Sequence, residues 1–315
     1  MPVAPHRFDV MVVGDFNPDI VLAGPDVRPE FDQHEKLVAD GALVVGGSAS
    51  ITACACARLG LRTAVVGATG DDALGRFMRD RLNEQGVDTS LAPVLDGERT
   101  GFSVVLSEGA DRAILTYPGT IDRLDAAHLG TDVLASARHV HVASYFLQPR
   151  LAALLPMVFR ALNDRGTTVS VDPNWDPSGE WDMGLARLLD QVDVFLPNRA
   201  EAAALSGATG ADGAAAALAT GRRCVVAVKD GGNGASAAGP EGRASCPPFP
   251  VQTVDATGAG DAFDAGFLYG HLAGWPLEER LRFACAAGAL STRGLGATAA
   301  QASAAEVQAL LAGQL

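Results

Sequence analysis

Short, almost continuously apolar runs alternate with helical stretches along most of this chain, and that alternation limits the folds open to it. Residues 8–14, 63–68, 138–143, 167–172, 192–196 and 223–229 read as strands buried on both faces, and stretches such as 72–85 and 151–164 read as helices between them. Strands of this kind need cover on both sides. The pattern therefore predicts an α/β fold, a doubly wound and largely parallel sheet with helices on both faces. Two segments break the rhythm. Residues 17–45 and 98–118 hold strand-like pieces (20–24, 36–39, 101–107 and 112–117) with no helix between them. They are expected to pair as a small β-sheet lid, leaving 1–16, 46–97 and 119–315 as the α/β body. Ligands of such sheets sit beyond the carboxyl ends of the strands, so 14–17, 172–174 and 196–198 are candidate site loops.

Composition narrows the function. With 315 residues, 48% of them hydrophobic, the chain can bury a large core as one large domain, or as one domain with a small appendage. Charged residues make up 19% and the mean hydropathy is +0.16, which argues against disorder. A net charge of −13 and a pI near 4.8 argue against nucleic acid or anionic lipid as a partner. Lys36 and Lys229 are the only lysines, and there is no basic run. The five cysteines (Cys54, Cys56, Cys224, Cys246, Cys285) follow neither redox nor zinc spacing and read as buried thiols of a reducing compartment. The N-terminal residues lack a signal-peptide core, and no apolar run approaches the roughly 20 residues that span a bilayer. A cytoplasmic protein without a membrane partner is expected.

The stretch 254–266 carries the most chemistry. Thr257, Gly258, Ala259 and Gly260 form a small-residue turn, and an apolar run from Ala262 onward begins a helix. Glycines let successive N–H groups aim at one point, and a helix N-terminus adds unpaired donors and a favourable dipole. Together these make a phosphate cradle. Asp261 lies in the first helical turn, where the dipole is expected to keep its carboxylate ionised at neutral pH. A base beside an anion hole is what phosphoryl transfer to an alcohol requires. Taken alone, so short a stretch reads rather as a glycine turn whose aspartate complements the dipole.

The wider pattern adds a resemblance. Residues 255–263 closely resemble the C-terminal signature of the ribokinase-like (PfkB) carbohydrate kinases, usually written D-T-x-G-A-G-D. Gly46 and Gly47 open a helix, with Gly67, Gly70, Asp71, Asp72 and Gly75 following in that family's order; Asn198 and Glu201 look like its N-x-x-E motif. The match runs from about Gly14 to Gly296. It implies ATP and Mg²⁺ as cofactors, a sugar or sugar-like acceptor, Asp261 as catalytic base, and Gly258, Ala259 and Gly260 as anion hole. It places Asn198 and Glu201 around Mg²⁺ and phosphate through water, and Asn198, Lys229, Gly231, Gly234 and Gly260 along ATP. Asn17 and Asp19 match positions that hold acceptor hydroxyls, as do Gly46 and Gly47. Asp255, Thr257 and the backbone near Gly296 resemble a monovalent-cation (K⁺) site found in part of the family. One departure stands out: Ile51 occupies the place where many of these kinases carry an asparagine, which implies an apolar wall against the acceptor unless Thr52 supplies the bond. Exposed lid strands would suit a homodimer through the lid.

Residues 226–229 imitate the lysine strand of protein kinases without their other motifs, and no P-loop is present. The glycines at 294–296 follow a helix rather than a strand, unlike a dinucleotide fingerprint, which disfavours an oxidoreductase. His139 and His141 share one strand face but lack a third ligand. Trp175 and Trp181 read as loop packing. A nucleoside kinase of the same fold and a non-catalytic ligand-binding relative remain the alternatives to a sugar kinase.

Overall fold

The computed structural model describes residues 6–108 and 111–314. Residues 1–5, on which the reading of a missing signal peptide falls, positions 109 and 110 of segment 98–118, and residue 315 lie outside them. Next to one edge of the main sheet is the strand Phe8–Val13, paired in parallel with the edge strand Thr63–Val66 on one side and with Ala137–Val142 on the other. Beyond Ala137–Val142 the sheet continues through Thr168–Val171, Val194–Phe195 and Val225–Lys229, all parallel, and ends in two antiparallel strands, Ala235–Gly239 and Gly242–Cys246. The largely parallel sheet expected from the six apolar runs is thus present, extended to eight strands by the antiparallel pair.

Burial follows the pleat of the strand Phe8–Val13. Met11 and Val13 face the core that holds Leu151, Leu155 and Phe159 of the helix Pro149–Asn163. Val10 and Val12 face the opposite core, with Ala53 and Cys54 of the helix Ser48–Arg58 and Phe283 of the helix Leu277–Ser291. The sheet is therefore covered on both faces, as strands without polar alternation require. Cys54 and Cys56 are fully buried thiols within this packing. His139 and His141 are also fully buried, and both share the Ser170 hydroxyl, at 2.6 and 2.7 Å. They are packed, hydrogen-bonded histidines. Trp175 and Trp181 meet edge-on at 5.0 Å within their loop.

A separate four-stranded sheet, in the order Asp40–Val45, Pro18–Ala23, Phe102–Glu108, Asp111–Tyr117, is built from the two segments that broke the sequence rhythm. Its central pair, Pro18–Ala23 with Phe102–Glu108, is parallel; the outer pairs are antiparallel. One expected piece is corrected. Residues 36–39 are not a strand: Lys36 bonds Asp26 and Glu30, and the strand starts at Asp40.

The junction between body and small sheet is fastened by Asp72. Its carboxylate caps the helix Ala73–Glu84 by accepting the Gly75 N–H at 2.8 Å, and it also accepts the Thr100 N–H and hydroxyl at 2.8 and 2.7 Å. Thr100 leads directly into the strand Phe102–Glu108. Asp72→Ala removes a cap and two further bonds together, and is expected to destabilise the protein by about 2–3 kcal/mol in urea denaturation.

Candidate active site

Because six strands run parallel, their carboxyl ends bring distant residues to one edge. Asp15 follows Phe8–Val13, Asp172 follows Thr168–Val171, Asn198 follows Val194–Phe195, and Lys229 ends its own strand. The helix Ala259–Leu272 points its N-terminus at this edge. Its cap, Gly258, has φ +76°, and a Cβ there would lie 2.8 Å from both the carbonyl oxygen and the Cβ of Ala297. The turn therefore needs glycine at 258 on two counts. Gly260 differs from expectation: its backbone is helical, and a Cβ would meet only the Lys229 side chain, at 3.7–3.8 Å. The first-turn N–H groups thus open onto a space bordered by an ammonium, a setting suited to polyphosphate.

Lys229 is the buried positive centre of the site. Its Nζ donates to Asp172 Oδ2 at 2.9 Å and to both oxygens of Asp264 at 3.0 Å. Burial alone would favour the neutral amine, but Asp172, Asp264 and Glu201 outweigh it and hold the ammonium well above its ordinary range. Burial likewise opposes ionisation of Asp172; Lys229 overcomes it and lowers that carboxyl. Asp264 is fully buried on the helix, and its burial pushes its carboxyl well above the usual range. One ligand oxygen each from Asp172, Asp261 and Asp264 falls within 4.8 Å of the others.

Asp261 is brought where the motif requires it, but in a different electrostatic state from that expected. Burial first, and then Asp172 and Asp15, raise its carboxyl to about 7, against the opposing Ser48 hydrogen bond and Lys229. The helix dipole does not hold it ionised by itself. Ser48 Oγ donates to Asp261 Oδ1, and Thr52 Oγ1 donates to the same oxygen at 3.4 Å.

Asn198 and Glu201 start the helix Arg199–Ser206 as a reciprocal capping box. The Glu201 N–H reaches Asn198 Oδ1 at 3.0 Å, and the Asn198 N–H reaches Glu201 Oε2 at 2.8 Å. Glu201 is nevertheless buried, and its carboxyl is raised to about 7 by that burial and by Asp172. With these groups tied to the cap, and Asp172 and Asp264 tied to Lys229, the donor set fits Mg²⁺ held through water rather than by direct ligation. Gly231 lies in a short 3₁₀ turn. Gly234 (φ +90°) is pinned by packing, since a Cβ there would meet the Cys246 carbonyl oxygen at 2.0 Å.

At the junction with the small sheet, the Asp15 carboxylate accepts the N–H groups of Ser48 and Ala49 at 3.0 and 2.9 Å, fixing the helix Ser48–Arg58. Gly46 and Gly47 have a reason to be glycine. A Cβ on Gly46 would fall 2.1 Å from Asp19 Oδ1, and one on Gly47 would fall 2.9 Å from Asn17 Oδ1. Asp19 is buried, and burial followed by Asp15 raises its carboxyl to about 7. Asn17 Oδ1 is a buried oxygen without a hydrogen-bond partner among the described residues. Ile51 is buried in the core with Phe16 and Val45, so the side chain of that turn reaching Asp261 is Thr52.

Asp255, Thr257 and Gly296 do come together. Asp255 accepts the Thr257 N–H and hydroxyl at 2.9 and 2.7 Å on one oxygen and the Gly296 N–H at 2.9 Å on the other. Arg112 of the small sheet donates to Thr257 Oγ1 at 3.0 Å. Hydrogen bonds and a guanidinium hold this loop, and no step is assigned to a monovalent cation.

Sequence reasoning passed over Ser48 and Asp264. Asp264 lies three residues after Asp261, one helical turn on, and that spacing was the available signal.

Comparison with known proteins gives a consistent result. A family profile described as pfkB family carbohydrate kinase matches residues 7–304. An ATP-dependent ribose-1-phosphate kinase of Halopiger xanaduensis is 33% identical over 299 residues, covering 92% of this chain and 94% of that protein. An acarbose 7(IV)-phosphotransferase of an Actinoplanes strain is 34% identical over 295 residues, covering 89% and 91%. The structure of Arabidopsis thaliana ribokinase complexed with ribose and ATP superposes with a TM-score of 0.82 at 26% identity, covering 98% and 99%.

Removing Lys229 would leave Asp172 buried without its counter-ion. Lys229→Met is expected to lose about 3–5 kcal/mol at pH 7–8 in urea denaturation. Asp172 is lowered in the fold, so its contribution is present at neutral pH and lost as pH falls through its folded value. With Lys229 gone, burial would instead raise Asp172, so in the variant that carboxyl takes up a proton as pH falls and the deficit should narrow toward pH 4.

Proposed function

The chain belongs to the pfkB family of carbohydrate kinases, and from that premise we propose that it transfers the γ-phosphoryl group of Mg·ATP to a hydroxyl of a sugar or sugar-like acceptor, with Asp261 as the base. The observation that carries this reading is the placement of the Asp261 carboxylate in the helical turn that Gly258 opens, with the Lys229 ammonium alongside. The first-turn N–H groups at Ala259 and Gly260 would bind phosphoryl oxygens, and Lys229 would add positive charge as negative charge shifts there. Mg²⁺, held through water near Asn198 and Glu201, would neutralise phosphate charge. Asp261 would take the proton of the acceptor hydroxyl as its oxygen bonds to phosphorus and the bond to the departing ADP breaks. On the acceptor side, Asn17 Oδ1 lacks a donor and Asp19 is a buried carboxyl, so both suit sugar hydroxyls.

The base is tested by Asp261→Asn, which keeps shape but removes proton acceptance. Turnover should fall at least ~10²-fold with ATP binding retained, measured as acceptor-dependent ADP release over a panel of ribose, fructose, ribose 1-phosphate, keto-deoxy sugar acids and nucleosides. In the wild type, kcat/KM should rise with pH and level off above about 7, where the Asp261 carboxyl titrates. Its raised folded value penalises the ionised form, so the penalty is absent near pH 4 and complete above 7. Asp261→Asn should accordingly melt higher than wild type at pH 8. Turnover near the wild-type level in this variant would exclude Asp261 as the base.

We assign the small sheet, residues 17–45 and 98–118, to closing over the acceptor and to pairing with a second copy. Leu43, Ile114, Leu115 and Tyr117 are exposed on it, which is more apolar surface than a solvent-facing sheet needs. Acceptor binding should slow amide exchange in these segments more than ATP alone does, and sedimentation equilibrium should give about twice the 32.3 kDa chain mass. Unchanged exchange with a turned-over acceptor would refute closure, and a monomer mass would refute pairing.

A further inference from the structure

The carboxylate of Asp261 is not held symmetrically. Ser48 and Thr52 lie four residues apart on the helix Ser48–Arg58, so their side chains share one face. Both hydroxyls point at the same atom, Asp261 Oδ1, with Ser48 making the shorter contact. That helix is itself fixed, because Asp15 accepts the backbone N–H groups of Ser48 and Ala49. The two donors therefore approach from a rigid element rather than a loop, and their aim does not depend on a bound ligand.

We propose that Ser48 is a positioning residue of the transfer site: with Thr52 it anchors Oδ1 of Asp261 and so leaves Oδ2 as the atom that takes the acceptor's proton. The inference rests on the kinase reading above. In it, the acceptor O–H bond breaks toward Oδ2, the acceptor oxygen bonds to the γ-phosphorus, and the bond from that phosphorus to the departing ADP oxygen breaks. A hydroxyl donating to Oδ1 also favours the ionised carboxylate, which must survive among Asp15, Asp172, Asp264 and Glu201 with Lys229 as the neighbouring cation. A charge-assisted bond of this type is the strong kind, and its loss corresponds to roughly a tenfold change in an ionisation equilibrium.

The test does not need a known acceptor. In protein labelled with ¹³C at aspartate Cγ, the Asp261 signal is assigned by its disappearance in Asp261→Asn and titrated in wild type, Ser48→Ala and Ser48→Thr. Ser48→Ala removes only the hydroxyl, since the N–H that Asp15 binds is untouched. Its Asp261 midpoint should move up by about one pH unit, while Ser48→Thr should stay near wild type and Thr52→Val should shift less. With an acceptor that turns over, the acid limb of kcat/KM should move by the same amount, and kcat of Ser48→Ala should fall about tenfold with the KM for ATP unchanged. An Asp261 midpoint that does not move in Ser48→Ala overturns the proposal. If no acceptor drives ADP release in wild type, the kinase reading fails on its own, and the titration still decides whether Ser48 governs Asp261.

Discussion

The site depends on one buried ammonium. Four carboxyl-bearing side chains, Asp172, Glu201, Asp261 and Asp264, converge where the parallel strands end, and such a cluster could not be packed uncompensated. Lys229 sits among them because its strand ends there. Its own N–H also bonds Pro197 O at 3.0 Å, tying the strand end to the loop that carries Asn198. The sheet topology thus supplies both the charge problem and its solution. With Lys229 engaged by Asp172 and Asp264, the remaining acids are poised rather than fixed: Asp19, Asp261 and Glu201 are all raised to about 7.

A second constraint works at the other side of the site. The paired glycines at 46 and 47 are small because Asp19 and Asn17 occupy the space a side chain would take. Asp15 then starts the next helix from beneath, so Asn17, Asp19, Asp261 and the start of that helix share one compact junction. Close approach of backbone to side chain replaces the longer polar residues that a looser site would use.

The α/β body was legible because buried parallel strands leave a signal that few other folds leave, and Asp261 was legible because its turn chemistry is local. What escaped was non-local. Residues 36–39 look strand-like, but Lys36 is drawn to Asp26 and Glu30, and the register of Asp40–Val45 is set by pairing with Pro18–Ala23. The expected ionisation of Asp261 considered only its own helix, whereas its environment is made by Asp15 and Asp172 from two separate loops. Asp264 was passed over because its meaning lies in Lys229, 35 positions away. Gly258 and Gly260 were read together as one turn, and only the coordinates show that Gly258 has the left-handed backbone while Gly260 is helical.

The parallel pair at the centre of the small sheet has a consequence for how the protein comes to exist. Pro18–Ala23 and Phe102–Glu108 are separated in sequence by the helices Ser48–Arg58 and Ala73–Glu84 and by the strand Thr63–Val66. Parallel neighbours cannot be joined by a tight hairpin, and pairs so far apart meet only after the intervening chain is ordered. The flanking hairpin Phe102–Glu108 with Asp111–Tyr117 can form early, but alone it is marginal in water. Completion of the small sheet therefore reports on completion of the first part of the body. A chain arrested before that point would expose unpaired strand edges, and so the small sheet is the part through which an unfinished molecule is most exposed to association.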